Sequence, residues 1–245
     1  AVRTEEMVNY FHYDYAPPWT TAQPFSTNVA VFPSPWVSGR KLVRIGIKGY
    51  TVQRAARPRA NLVFLVDTSG SMNHPDKLPL VKQSLRMLLS ELDPRDTVAI
   101  VTYAGSAGTA LHPTPASQKD RILAVIDRLG AGGSTAGAEG IRQAYQLAHA
   151  NSDPRGVNRV ILATDGDFNV GITDQGELKG YIERERGKGV FLSVLGFGMG
   201  NYNDALMQAL AQNGNGTAAY IDTVQEARKT LVEEASANLF TIAKD

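Results

Sequence analysis

From Asn61 onward, short apolar runs alternate with amphipathic segments, and this alternation restricts the chain to one class of fold. The run NLVFLVD (61–67) places five consecutive apolar residues before an aspartate. An apolar run that short, bounded by turn residues, reads as a buried parallel strand. Further strands are expected at 96–104, 108–113, 157–165, 190–198 and 216–222. Helices are expected between them, at 76–92, 117–129, 136–150, 174–188 and 203–212, with a last one from Thr223 to 240. The helix at 76–92 carries Val81, Leu85, Leu88, Leu89 and Leu92 on one stripe. Ser117 with Asp120, and Thr223 with Glu226, read as capping boxes. Strand and helix in alternation predict a Rossmann-like, doubly wound α/β fold, with a mostly parallel sheet flanked by helices on both faces.

The first ~60 residues differ in texture, and a domain boundary is expected there, with a helix and a β-rich unit over 1–59 and the α/β domain over 60–245. TEEMVNYFHYDY spaces Met7, Val8 and Phe11 for a short helix capped by Thr4. Prolines 17, 18, 24, 33 and 35 exclude a long one. STNVAVF (26–32) and RKLVRIGIKGY (40–50) read as strands, the second with Val43, Ile45 and Ile47 on one face. Trp19, Trp36 and the tyrosines near residues 10 to 15 are expected to pack this unit onto its neighbour. QRAARPRA (53–60) reads as an exposed basic linker.

Composition narrows the function. The net charge of +1 gives no support for a nucleic-acid binder or a strongly membrane-attracted surface. No apolar run is long enough to span a bilayer. Cysteine is absent, which rules out disulfides, thiolate metal sites and a cysteine nucleophile. The opening AVRTEEM has no signal-peptide pattern and reads as the start of a mature or trimmed chain.

In an open parallel sheet, ligands bind at the carboxyl ends of the strands. The first strand of the α/β domain ends at Asp67, followed by Ser69 and Ser71; the strand VNRVILATD ends at Asp165. The glycine-rich loop GAGGSTAG presents Thr135 just before a helix. All three segments are expected at one rim. Asp67, Ser69 and Ser71 fall on alternate residues, which turns their side chains to one side. The five candidate ligands, Asp67, Ser69, Ser71, Thr135 and Asp165, are all hard oxygen donors. That set suits Mg²⁺ or Mn²⁺, with Ca²⁺ ranked lower because it recruits more carboxylates and carbonyls. An open position on such a metal would take a further carboxylate.

The motifs DTSGSM (67–72), GGSTAG (132–137) and ATDGDFN (163–169) resemble the metal-ion-dependent adhesion site of von Willebrand factor type A domains, from about Asn61 to the end. Wider phrases, such as EEMVNYFHYDY, RIGIKGY, NRVILATDGDFNVG and LFTIAKD, are similar to a bacterial family of exported, lipoprotein-type von Willebrand A proteins. The resemblance implies a metal-dependent protein-binding module in the cell envelope. Ser69, Ser71 and Thr135 would coordinate through hydroxyls, Asp67 and Asp165 directly or through water, and an Asp or Glu of a partner protein would complete the shell. It also implies that the last helix shifts when the site engages ligand. Family members continue past TIAKD and carry a lipidated cysteine, so a fragment is expected here. The N-terminal strands would then form a β-sandwich with the further segment.

Each feature has a plainer alternative. Asp and Ser also make turns and caps; it is their meeting with Thr135 and Asp165 that favours a metal. Asp167 is read as a loop residue or helix cap rather than a second acid behind the metal. Glycines 132 and 133 serve a tight turn, since GxxxxGK[ST] is lacking. Histidines 12, 74, 112 and 149 are scattered, and His74 is read as a surface residue. The charge run RERGKG is read as a solvated helix face. An enzyme is not expected. A phosphoryl-transfer site of DxDxT type would need an acid where Ser69 stands, and TSGSM is not G-x-S-x-G. A structural scaffold stabilised by its metal is the alternative to a binding module.

Overall fold

The computed structural model describes residues 4–51, 57–132, 137–166, 174–198 and 203–233. They divide into two compact units, one up to Arg57 and one from Pro58 onward.

In the first unit, α1 (Thr4–Asn9) precedes two antiparallel strands, β1 (Phe25–Pro33) and β2 (Lys41–Gly49). Register pairs Val29 with Ile45 and Val31 with Val43, so the β-branched residues share one face, and that face is exposed. On the other face, the stacked rings of Tyr13 and Tyr15 flank the Arg44 guanidinium, and the Tyr15 ring occupies the space that a side chain at Gly46 would need. Trp19 and Trp36 are 96% and 78% exposed.

The second unit is a six-stranded sheet in the order β5-β4-β3-β6-β7-β8. Its strands are β3 (Ala60–Asp67), β4 (Thr97–Ala104), β5 (Ser106–Pro115), β6 (Val157–Thr164), β7 (Val190–Phe197) and β8 (Ala218–Ile221). All pairs are parallel except β4–β5. The antiparallel edge strand β5 runs four residues longer than the expected 108–113. Pro113 and Pro115 mask it in the sequence, and an edge strand tolerates both.

Helices α2 (Leu78–Glu91), α3 (Lys119–Arg128) and α7 (Val224–Arg228, continued by a π turn at Lys229–Glu233) cover one face. Helices α4 (Gly137–Ala150), α5 (Gln175–Gly187) and α6 (Asp204–Asn213) cover the other. The period-two side-chain alternation of β3 feeds both layers. Leu62, Phe64 and Val66 meet Val81 and Leu85; Val63 and Leu65 meet Ile141 and Tyr145. Each such buried side chain contributes about 1.5–3 kcal/mol. That two-sided demand is why the strand reads as an unbroken apolar run.

Two local expectations change. Ser117 is not the cap of α3: the helix begins at Lys119, with Gln118 at the cap position and no side-chain capping bond. The Ala116 and Ser117 amides instead donate to Asp96 O (2.7 Å) and Pro94 O (3.3 Å), so tertiary bonds claim the turn that the capping box would have used. The expected solvated face of α5 contains one buried acid, Glu185, hydrogen-bonded to His149 and Lys188. Thr223 does cap the last helix, accepting from the Glu226 amide at 3.2 Å.

Candidate functional site

The chain leaves β3 for β4 on one side and later returns to β6 on the other. The crevice between the carboxyl ends of β3 and β6 is therefore the switch point of the sheet, where open α/β folds bind ligands. Asp67 is the last residue of β3, and Asp165 follows the last residue of β6. Topology thus brings both predicted carboxylates to one crevice.

Asp67 is 0% exposed and Asp165 5%. Asp67 Oδ1 accepts from the Ser69 amide at 2.9 Å, and Oδ2 accepts from Thr164 Oγ1 at 3.2 Å. These bonds fix the carboxylate plane. Burial pushes the Asp67 carboxyl above the usual aspartate range; the bonds from Ser69 partly oppose this, and the negative charge of Asp165 adds to it. The Tyr103 ring is fully buried at the end of β4, and its hydroxyl is raised well above the usual range, by burial first and then by the charge of Asp67. Burial and the neighbouring carboxylate thus both act against charge on Asp67.

After Asp67 the chain does not continue as a strand. Ser69 is extended, and Gly70–Met72 forms one 3₁₀ turn, with the Met72 amide donating to Ser69 O at 3.0 Å. The turn still brings the alternate hydroxyls together, with Ser69 Oγ and Ser71 Oγ 3.0 Å apart. Met72 inserts into the core and anchors the turn.

Thr135 and Asp167 lie outside the described residues. Their flanks do not. The Gly132 amide donates to Thr68 O at 2.8 Å, which ties the glycine-rich loop to the exit of β3. On the other side of the loop, Gly140 in the first turn of α4 lies where a β-carbon would come within 2.9 Å of Tyr103 Cβ. The Gly166 amide bonds Thr164 Oγ1 at 3.2 Å, and Gly166 takes a φ of 100°, which turns the chain away directly after Asp165.

Two residues of the crevice escaped the sequence reading. Thr164 supports Asp67, and Lys77, at the N-cap position of α2, places Nζ 2.8 Å from Asp165 Oδ2. The lysine and Asp165 are 88 residues apart, so no local pattern announces the pair. His74, near the site in sequence, is exposed and paired with Asp76. Among the described residues no group of three or more His, Cys, Asp or Glu side chains is arranged to hold a metal ion. The donors that converge are two carboxylates and two serine hydroxyls.

Comparison with known proteins agrees with the fold. The family profile for the von Willebrand factor type A domain matches residues 61–234, and a second profile, described as von Willebrand factor, matches residues 1–44. The chain is 44% identical over 251 residues to the uncharacterized protein YfbK of Escherichia coli, a match that covers all of this chain and 44% of YfbK. It therefore spans less than half the length of that relative. Among solved structures, BatB from Bacteroides thetaiotaomicron superposes with a TM-score of 0.62 at 22% identity, over 73% of this chain and 98% of BatB. Proximal thread matrix protein 1 of the mussel byssus, with its metal-ion-dependent adhesion site (MIDAS) occupied by zinc, gives a TM-score of 0.57 at 22% identity, over 74% of this chain and 46% of that one. The chain belongs to the von Willebrand factor type A family, whose domains are generally non-catalytic protein-binding modules.

Proposed function

We propose that this domain binds a partner protein through a divalent cation held at the crevice between β3 and β6. The observation that carries the reading is the pair of buried carboxylates, Asp67 and Asp165, beside two hydroxyls 3.0 Å apart. Burial and mutual repulsion both disfavour charge on Asp67, and a divalent cation offsets both. The donor chemistry fits: hard oxygens alone, from Asp67, Ser69, Ser71 and Asp165, with Thr135 as the fifth, suit Mg²⁺ or Mn²⁺, and Ca²⁺ less well. The bound ion would supply an electrophilic position for an Asp or Glu of the partner. The domain's own residues hold that position: Thr164 and the Ser69 amide orient Asp67, and Met72 anchors the serine turn. The bacterial relatives support a place in the cell envelope.

The test is thermal unfolding in EDTA, then in Mg²⁺, Mn²⁺ and Ca²⁺, for wild type and Asp67→Ala. Metal at ~100 times its Kd adds about 2.7 kcal/mol, which for a domain of this size raises Tm by roughly 5–10 °C. Loss of that rise in Asp67→Ala is the expected result. No rise with any ion would overturn the metal reading and leave a scaffold role. If the rise is found, pull-down of partners with and without chelator separates metal-mediated recognition from a metal that only stabilises.

A further inference from the structure

The crevice already contains a cation, and it belongs to the chain. Lys77 Nζ donates to Asp165 Oδ2 at 2.8 Å, with the lysine side chain 19% exposed and the Asp165 side chain 4%. The lysine has a built seat. Its backbone is fixed at the head of α2, where Lys77 N bonds His74 O at 3.0 Å and Lys77 O receives the Val81 amide at 2.8 Å. Its stem crosses Gly198, just past the end of β7, a residue with φ +79°. A β-carbon on Gly198 would come within 2.6 Å of both Cγ and Cε of Lys77. The Gly198 carbonyl is held in turn by the Tyr220 hydroxyl at 2.9 Å. A side chain at Gly198 would therefore push the lysine off its path, and the missing side chain leaves that path open.

The charges show what this seat does. Asp67 and Asp165 together bring two negative charges, and Lys77 returns one. A divalent cation would neutralise both carboxylates by itself. With the ammonium still on Asp165, the ion would enter against a like charge in a site of low effective dielectric. Exposed lysines have little such leverage, but this pair is largely withdrawn from solvent, where ion pairs are screened least.

We propose that Lys77 is a tethered counter-ion that holds Asp165 while the divalent cation is absent and must release it for the cation to bind, so that Lys77 sets the metal affinity of the site. The proposal rests on the metal reading above. It means that Asp165 is already paired in the metal-free domain. It also means that metal entry moves a side chain rooted at the head of α2, so the start of that helix senses occupancy.

Mn²⁺ titration followed by the electron paramagnetic resonance of the free ion tests this on wild type, Lys77→Met, Lys77→Arg and Asp67→Ala, beside the Tm of each in EDTA. Methionine keeps the apolar stem over Gly198 and removes the charge; arginine keeps the charge. Lys77→Met is expected to bind Mn²⁺ about ten-fold more tightly or better, and to melt lower than wild type in EDTA. Lys77→Arg is expected to stay near wild type in affinity. If Lys77→Met fails to fold, Lys77→Gln serves the same comparison. Unchanged or weaker binding by Lys77→Met, with binding still abolished by Asp67→Ala, would overturn the counter-ion and leave the metal site intact. No Mn²⁺ binding by wild type or by any Lys77 variant would overturn the metal reading and this inference with it.

Discussion

Gly140 lies so close to Tyr103 that a β-carbon on the glycine would stand 2.9 Å from Tyr103 Cβ and 3.1 Å from Leu65 Cδ1. The first turn of α4 therefore rests directly on the ends of β3 and β4. A larger residue there must lift the helix start. Gly140→Val is expected to cost about 1–3 kcal/mol, the usual range for overpacking. It should also weaken Mg²⁺ binding, since Thr135 precedes Gly140 by only five residues. Chemical unfolding and a metal titration on the same variant check the two effects. A stability loss with unchanged metal affinity would detach the helix start from the site.

The paired hydroxyls make a different prediction. Ser69 Oγ and Ser71 Oγ bond each other, and a single neutral hydrogen bond contributes little net stability, so Ser69→Ala and Ser71→Ala should each change metal-free stability by no more than about 1 kcal/mol. Each should nonetheless weaken Mn²⁺ binding roughly ten-fold or more, the scale on which metal sites respond to lost ligand support. Calorimetric titration of the two variants reads both quantities. Normal affinity in both would remove the serines from the coordination shell.

Asp96 is a structural counterpart at the opposite end of the sheet. It is buried, with Oδ1 accepting from the Ala60 amide at 2.8 Å and Oδ2 from the Asp93 amide at 2.7 Å. Asp96→Ala leaves both amides without that acceptor and should cost about 3 kcal/mol, with hydrogen bonds to a charged group at the strong end of the range. Tm should fall by roughly 6–12 °C. The metal-induced rise, measured on the variant, should survive.

Glu185 gives the acid response. Burial by itself raises its carboxyl, but the bonds with Lys188 Nζ and His149 outweigh burial and hold it below the usual glutamate range. A carboxyl depressed in the folded state contributes stability that is fully present above its unfolded value, ~4.3, and is lost as pH falls through the folded value. Wild type should therefore exceed Glu185→Gln in stability at pH 7, and the gap should close on acidification below ~4. Urea unfolding of both proteins at pH 7 and pH 3 measures the gap. A gap that persists at pH 3 would assign Glu185 a packing role.

The sequence made parts of this molecule legible because their causes are local. Leu62 to Val66 can only be a strand buried on both faces, and Asp67 ends it in full view. Ser69 and Ser71 declare their convergence by spacing, and the backbone achieves it with a 3₁₀ turn. What stayed hidden depends on distant partners. Ser117 carries a capping pattern, but amide bonds to the Pro94–Asp96 loop override it. Strand β5 exists because β4 offers an edge, in spite of its own prolines. Lys77 reads as an ordinary lysine at the start of a helix until β6 and β7 arrive beneath it.

One knot of amides below the sheet also has a bearing on the rim. Asn61 Nδ2 donates to Ala148 O at 2.9 Å and to Asn158 Oδ1 at 3.2 Å, while its Oδ1 accepts from Asn151 Nδ2 at 3.0 Å and Thr97 Oγ1 at 3.3 Å. Strand β3 is thereby latched to β4, β6 and the end of α4 at a single residue. Asp67 stands six residues further along, about 20 Å at the rise of a parallel strand. Apolar faces alone resist slippage in whole pleats only weakly, because a shift of two residues still buries an apolar face. The asparagine knot supplies the missing zero mark. The strand works as a ruler, and the height at which Asp67 is presented is measured out from Asn61.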